Sequence, residues 1–482
     1  MNVRTFLLAL ILALVDGLKV RADALLEFVI ADEANRSSPC RIHLRDAAGK
    51  PVKAPGLLFW SDHFVCTGKV SLTVAPGNYI YEIERGPEYR SISNSITVAD
   101  QPVSVTARLR RITDLSREGW WSGETHVHRK PEEIQLLMQA EDLHFAHVIT
   151  WWNRRGNTNS ENPLVRFDGN RFYHLMAGED ERGGGALLYL NLPKPFDITG
   201  SIREFPSSVK FLQDAPASAW VDIEKPFWWD VPLWLAHGRV DSIGIAHNHH
   251  HRSGMLDNEA WGKARDPARF TTKHGNGLWT QEIYFHILNA GFRIPPSAGS
   301  ASGVLPNPVG YNRAYVHMDG EPTWEKWHAG LKAGRVFVSN GPLLRCRANG
   351  QLPGRVFAAK DALEVKLEGL LDSREPIRSI ELIHNGRARP LKLPGAARIT
   401  DSGWFVVRAI ADLDHTFRFA CTGPWYVEID KKQPPLMKES ARFFLDWTRE
   451  RRTRLEQTNF TGQAEALQPV HAAEAFWQKR AE

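Results

Sequence analysis

The segment Gly119 to Lys130, GWWSGETHVHRK, holds two histidines one residue apart, His126 and His128. If GETHVH is a short strand, alternate side chains leave by one face, so both imidazoles point the same way while Val127 turns into apolar packing. Two ligands of one metal ion need that geometry. Two solvated or hydrogen-bonded histidines give the same spacing, and among 19 histidines in 482 residues such a pair also arises by chance, so the neighbours have to decide. HLMAGEDERGGG places Glu179, Asp180 and Glu181 between an apolar stretch and a glycine run, and GIAHNHHHR offers His247, His249, His250 and His251. Carboxylate and imidazole together suit Zn²⁺, Mn²⁺ or Fe²⁺. An acidic turn and a histidine-rich loop are the plain readings of these clusters taken singly. Their joint occurrence, each after a strand-like segment of one region, favours a metal site.

Such a site needs a scaffold that brings strand ends together. PEEIQLLMQAEDLHFAHVITWWN has helical spacing through Ile134, Leu137, Met138 and Leu143, followed by the strand-like FAHVIT. VPLWLAHGRVDSIGIAHNHHH and TQEIYFHILNAGFRIPPSAGS repeat the theme. Helices alternating with short apolar strands predict parallel β/α packing over residues 111–345, where sites collect at strand C-termini. Residues 23–110 alternate apolar and polar in short runs broken by DAAGKP and APGN, which predicts a small β-sandwich. Runs such as ALEVKLEGLL and GWFVVRAIA predict a second β-sandwich over 346–435. LMKESARFFLDWTRERRTRLEQ opens a helical tail over 436–482, with Phe443, Phe444 and Trp447 docking one end and the arginines solvated.

The composition, 43% hydrophobic and 24% charged, is that of a globular chain, and a net charge of +5 with no concentrated basic stripe argues against a nucleic-acid partner. The first 22 residues combine Arg4, the apolar run Phe6 to Val15 and the small-x-small triplet Val20-Arg21-Ala22, so they are expected to be a secretory signal peptide. No segment is long and apolar enough for a membrane span, and the expected location is periplasmic or secreted. Export suits the four cysteines, which divide evenly into Cys40 and Cys66, and Cys346 and Cys421; one disulfide within each terminal region is expected, with buried thiols as the alternative.

GKVSLTVAPGNYIYEIERGPEYR resembles carboxypeptidase-regulatory or transthyretin-like modules. The order SGETHVHR, HVITWWN, AGEDER, GIAHNH, RIPPSAGSASG and LKAGRVFVSNGPLL, over roughly residues 113 to 345, resembles the PHP (polymerase and histidinol phosphatase) superfamily, and within it the CehA/McbA-type metallohydrolases. The resemblance implies a multidomain chain: a central distorted (β/α)7 barrel with a metal centre at its strand C-termini, flanked by the N-terminal β-sandwich and by the C-terminal β-sandwich with its helical tail. It implies His126 and His128 as the first ligand pair, Glu179 as the acidic ligand and His247 as a later strand-end ligand. Two places depart from the family pattern. Thr150-Trp151-Trp152-Asn153 stands where the family commonly has Thr-Asp-His-Asn, and Gly299-Ser300-Ala301-Ser302 where it has Gly-Ser-Asp, so a ligand aspartate is missing at Ala301. The remaining residues suffice for one divalent transition-metal ion, Zn, Mn or Fe.

A catalytic zinc typically has three protein ligands and a water whose pKa falls to about 7. Glu179 is then also a candidate catalytic group, as any ligand left unbound orients the water or takes its proton. Asp180 and His249 are expected beside the ligands, and Arg182 to meet an anionic substrate. The leading expectation is an exported metal-dependent hydrolase of a small-molecule or glycan ester, amide or phosphoester. The alternative is a catalytically silent binding protein that stacks a glycan on Trp151, Trp152, Trp228 and Trp229. Oligomeric state is not written in the sequence.

Overall fold

The computed structural model describes residues 23–153, 162–194 and 207–482. The signal peptide expected over 1–22 lies outside them. Among the described residues strands take 39% and helices 21%, in several sheets with a helical C-terminal tail. No helix among the described residues is long and apolar enough to cross a membrane.

The chain divides into two units, residues 1–84 with 91–110, and residues 85–90 with 111–482. Among the described residues the first holds eight strands, β1 (Ala24–Ala31), β2 (Cys40–Arg45), β3 (Leu58–Trp60), β4 (His63–Cys66), β5 (Lys69–Val74), β6 (Gly77–Glu84), β7 (Ile92–Val98) and β8 (Val103–Arg108). They form a three-stranded sheet, β5-β1-β8, and a five-stranded sheet, β3-β4-β2-β6-β7. Period-two patterning explains the stacking: Leu26, Phe28 and Ile30 of β1 are buried, and Phe28 meets Tyr81 of β6 edge-on at 5.5 Å.

The second unit is built on one large sheet. Its first part uses β9 (Trp120–Val127), β10 (Phe145–Trp152), β11 (Leu164–Phe167), β12 (Arg171–Arg182), β13 (Gly185–Leu190), β14 (Trp220–Ile223) and β15 (Ser242–Ala246). A small hairpin, β16 (His250–His251) with β17 (Gly254–Met255), precedes β18 (Pro296–Ala298). The sheet path runs β9-β10-β12-β13-β14-β15-β18. Helices α1 (Ile134–Glu141), α2 (Ser207–Asp214), α3 (Val231–His237) and α4 (Gly275–Asn289) lie in the connections. Ile134, Leu137 and Met138 of α1 are buried as their spacing predicts. Beyond β18 the chain returns to the start of the path: Ala301 N–H donates to His126 O at 2.8 Å, and His128 N–H to Ser302 O at 2.8 Å.

The expected all-parallel order fails at β11, which is antiparallel to β12, at β19 (Arg313–His317), which is antiparallel to β9, and, along the path itself, at β13. β13 is antiparallel to both β12 and β14, while β9–β10, β10–β12, β14–β15 and β15–β18 are parallel. The glycine run closes a tight β12–β13 hairpin, a connection that only antiparallel strands accept. A Cβ on Gly185 would come 2.3 Å from Trp228 Cβ, so packing as well as the turn requires glycine there.

The N-terminal half of β9 pairs instead with β19 (Arg313–His317), followed in the sheet by β20 (Val336–Ser339); α5 (Trp324–Lys332) connects them. Strands assigned from sequence to a C-terminal sandwich continue this sheet. β21 (Leu343–Ala348), β23 (Leu363–Asp372) and β26 (Gly395–Ile399) form a separate layer, whereas β24 (Ile377–His384), β25 (Arg387–Pro390), β27 (Gly403–Ala411) and β28 (Phe419–Thr422) join β20 through β28. β22 (Val356–Ala359) and β29 (Trp425–Ile429) attach to β27. On β28, Ala420 enters the core between the two layers with Cys346, and Cys421 enters the core on the other side. That alternation separates Cys346 from Cys421, and both are free thiols, pushed up to about 12 by burial, so the expected bridge between them is absent. Cys40 and Cys66 are also thiols, but they are register partners with sulfurs 3.8 Å apart.

The tail is a pair of helices, α6 (Met437–Glu456) and α7 (Gln463–Ala481). Phe444 and Trp447 are buried, and Trp477 Nε1 donates to Pro232 O of α3 at 3.0 Å. One tail arginine departs from the solvated face: Arg451 is buried and its Nε donates to Asp230 Oδ1 at 2.7 Å.

Candidate metal centre

His126 stands at the C-terminal end of β9 and His128 just beyond it, while Val127 between them is fully buried on the other side. Glu179 lies near the end of β12, two strands along the path, where it pairs with Trp152 of the intervening β10. The three side chains meet. His126 Nε2 and His128 Nε2 are 2.9 Å apart, and Glu179 Oε2 is 3.3 Å from the first and 3.0 Å from the second. Ligand atoms of a tetrahedral ion with bonds of about 2.0–2.1 Å lie roughly 3.3 Å apart, so the triangle fits one such ion with little movement. The backbone allows it because residue 299 is glycine: a Cβ there would lie 2.5 Å from His126 Cβ.

The far nitrogen of His126 is also engaged. Its Nδ1 faces Glu224 Oε1 at 3.5 Å, and Glu224 is held by Lys225 Nζ at 2.5 Å and by Trp228 Nε1 at 3.0 Å. With an ion bound, a carboxylate on Nδ1 would keep that proton in place and leave the Nε2 lone pair to the ion. Sequence reading missed Glu224. The signal was present in WVDIEKP, an apolar strand ending in an acid, as at Glu179.

The charges respond to this crowding. Burial disfavours charge on His126, but Glu179 and Glu224 outweigh it and raise its pKa to about 10. Burial holds His128 below its ordinary value. Glu179 is buried too, yet the His126 charge keeps it well below the usual carboxylate range. Glu181 shares Glu179's face of β12 and is raised to about 7 by burial and by the Glu179 charge. Trp152 Nε1 donates to Glu181 Oε2 at 3.1 Å, and Asn153 Oδ1 accepts the Glu181 N–H at 2.8 Å. One strand repeat below the centre, burial raises Glu124 to about 8 and Asp222 to about 7.

Four expected residues stand elsewhere. Asp180 and Arg182 point to the opposite face of β12 from Glu179, where Arg182 Nε donates to Asp180 Oδ1 at 2.5 Å; strand alternation splits the acidic run. Arg182 is buried over the Phe211 ring at 5.3 Å, closed to an anionic substrate. His247 is outside the group of donor atoms within 4.8 Å of one another, which among the described residues joins only His126, His128 and Glu179 here. Its Nδ1 accepts the His249 N–H at 3.3 Å and its Nε2 lies 2.8 Å from Thr280 Oγ1 on α4, so both ring nitrogens are occupied. His249 gives its Nδ1 to Asn258 O at 2.9 Å and is lowered to about 3 by burial.

The tryptophans proposed to stack a glycan are mostly core. Trp151, Trp228 and Trp229 are buried, and Trp152 alone is half-buried, its ring 5.2 Å from His128. Ala301, in place of the missing aspartate, is buried at φ 49° and joined through its N–H to His126 O. No family model, curated protein or solved structure matches the chain.

Proposed function

We propose that the chain is an exported metal-dependent hydrolase of the PHP type, near the CehA/McbA-type enzymes, acting on an ester, amide or phosphoester. The convergence of His126 Nε2, His128 Nε2 and Glu179 Oε2 carries this reading. The path of seven strands that returns from residues 301–302 to β9 supports reading the scaffold as a distorted barrel of that family, with one antiparallel strand. These three residues would hold a single divalent ion, which would supply Lewis acidity and a water with its pKa lowered to about 7.

The chain's own groups supply the rest. Glu224 fixes the His126 proton on Nδ1. Trp152 and Asn153 hold Glu181 on the same strand face as Glu179, so a proton taken during hydrolysis can rest on its carboxylate. Burial of Trp151, Trp228 and Trp229 removes most of the surface that a glycan-binding protein would use. The test loads the full chain with Zn²⁺, Mn²⁺ or Fe²⁺, measures bound metal, and assays p-nitrophenyl esters, carbamates and phosphates. The H126A/H128A variant should lose both the metal at this centre and all hydrolysis. Hydrolysis that survives in this variant, or in chelator, refutes the assignment.

A further inference from the structure

A second group of donor atoms sits in the N-terminal unit. Antiparallel β2 and β4 pair Cys40 with Cys66 and Ile42 with Phe64, and one step further along the same register brings His43 opposite His63. The β3–β4 hairpin pairs Trp60 with His63, leaving Ser61 at φ 54° and Asp62 as its turn, so Asp62 folds back over the histidine pair. Asp62 Oδ1 is 3.1 Å from His43 Nδ1 and 3.2 Å from His63 Nδ1. The two rings are 5.0 Å apart between centroids.

The surroundings prepare these atoms as ligands. Arg45 donates to the other oxygen of Asp62, Oδ2, at 2.7 Å, which leaves Oδ1 to the imidazoles. His43 Nε2 lies 3.4 Å from Glu84 Oε2, and Arg41 Nε donates to the same oxygen at 3.1 Å. Arg41 Nε also donates toward His43 Nε2 at 3.2 Å; with an ion on Nδ1 the ring proton would sit on Nε2, facing the Glu84 carboxylate. His43 Nδ1 is buried, and despite its distance from Asp62 Oδ1 it completes no hydrogen bond. A cation between the three donors would satisfy all of them at once.

We propose that His43 Nδ1, His63 Nδ1 and Asp62 Oδ1 bind a divalent metal ion of the zinc class, separately from the centre at His126. Two imidazoles and one carboxylate favour Zn²⁺ or Co²⁺ over Mg²⁺ or Ca²⁺. The ion ties the β3–β4 turn to β2. Asp62, the one partly exposed member, gives it a route in from solvent.

Co²⁺ titration of the chelator-treated full chain, followed by visible absorption and bound metal, tests this. Wild type should saturate at two equivalents, D62N at one and H126A/H128A at one, with D62N at least tenfold weaker at the second site. Wild type at one equivalent and D62N at none would support this site while overturning the His126 centre. The proposal falls if D62N and H63Q take up as much Co²⁺ as wild type, or if H126A/H128A takes up none. Thermal melts check folding; should H63Q fail to fold, D62N decides, since Asp62 lies in a turn.

Discussion

Glu224→Gln probes the metal centre most sharply. The carboxylate lies 3.5 Å from His126 Nδ1, and removing its charge releases the proton that fixes the ring. Carboxylates behind metal-bound histidines change metal affinity by about 10–100-fold, or roughly 1.4–2.7 kcal/mol. The single substitution does more, because Lys225 is buried and pairs with Glu224 at 2.5 Å. Stranding a buried cation costs about 3–5 kcal/mol. E224Q should therefore lose both stability and metal affinity. In E224Q/K225M the stranded charge is gone, so denaturant midpoints should recover most of the loss while Zn²⁺ affinity stays about 10–100-fold below wild type. Competition against a chromophoric chelator measures the affinity. A double variant that binds Zn²⁺ as tightly as wild type would show that Glu224 does not orient His126.

Ala301→Asp should tighten binding and move preference from Zn²⁺ toward Mn²⁺ or Fe²⁺, because the position is joined to His126 O and its φ of 49° suits Asp better than Ala; unchanged affinity in a folded variant would mean that residue 301 does not face the ion. Acid should destabilise the protein through His328, lowered by burial from 6.5 to about 4 with its Nε2 facing His147 Nε2 at 3.1 Å. Unfolded chains bind the proton as pH falls through 6.5 and the folded chain does not until about 4, so this stability is complete above 6.5 and about 3 kcal/mol is lost across that window. Denaturant midpoints against pH should show a slope shallower by about one proton in H328Q; an unchanged slope refutes it. Mild oxidation should join Cys40 to Cys66 and leave Cys346 and Cys421 as thiols, as read by non-reducing peptide mapping; a Cys346–Cys421 bridge would contradict the separate cores.

Where the sequence was legible, local periodicity carried the information. His126 and His128 could be found because a strand's alternation is local, and the acidic cluster because it ends a strand; Glu179 was singled out within that cluster by the family resemblance. Contiguity misled at Asp180 and Arg182, where a run of charges looks like one site but the alternation of β12 divides it between two faces. His247 sits at a strand end as expected, yet Thr280 reaches it from α4 across 33 residues, a contact no local pattern encodes. Glu224 was hidden because WVDIEKP spreads its two acids through an apolar strand instead of clustering them as AGEDER does. The apolar run GALLYL reads the same in either direction, so β13's antiparallel course could be told only from the glycine hairpin before it.

The change of partner along β9 has a kinetic consequence. Its first half pairs with β19 and its second half with the segment after β18, and Thr125 Oγ1 reaches Ala298 O across 173 residues of sequence. Closing such a distance costs chain entropy before any contact rewards it, which makes it a late event in folding. His126 O and His128 N–H gain these backbone partners only once that segment has docked. During synthesis a nascent chain ending before residue 302 has all three ligands but lacks the partner that holds His128 N–H. Tight metal capture would then report the moment of closure, and its rate in refolding would time the arrival of residues 298–302 at β9.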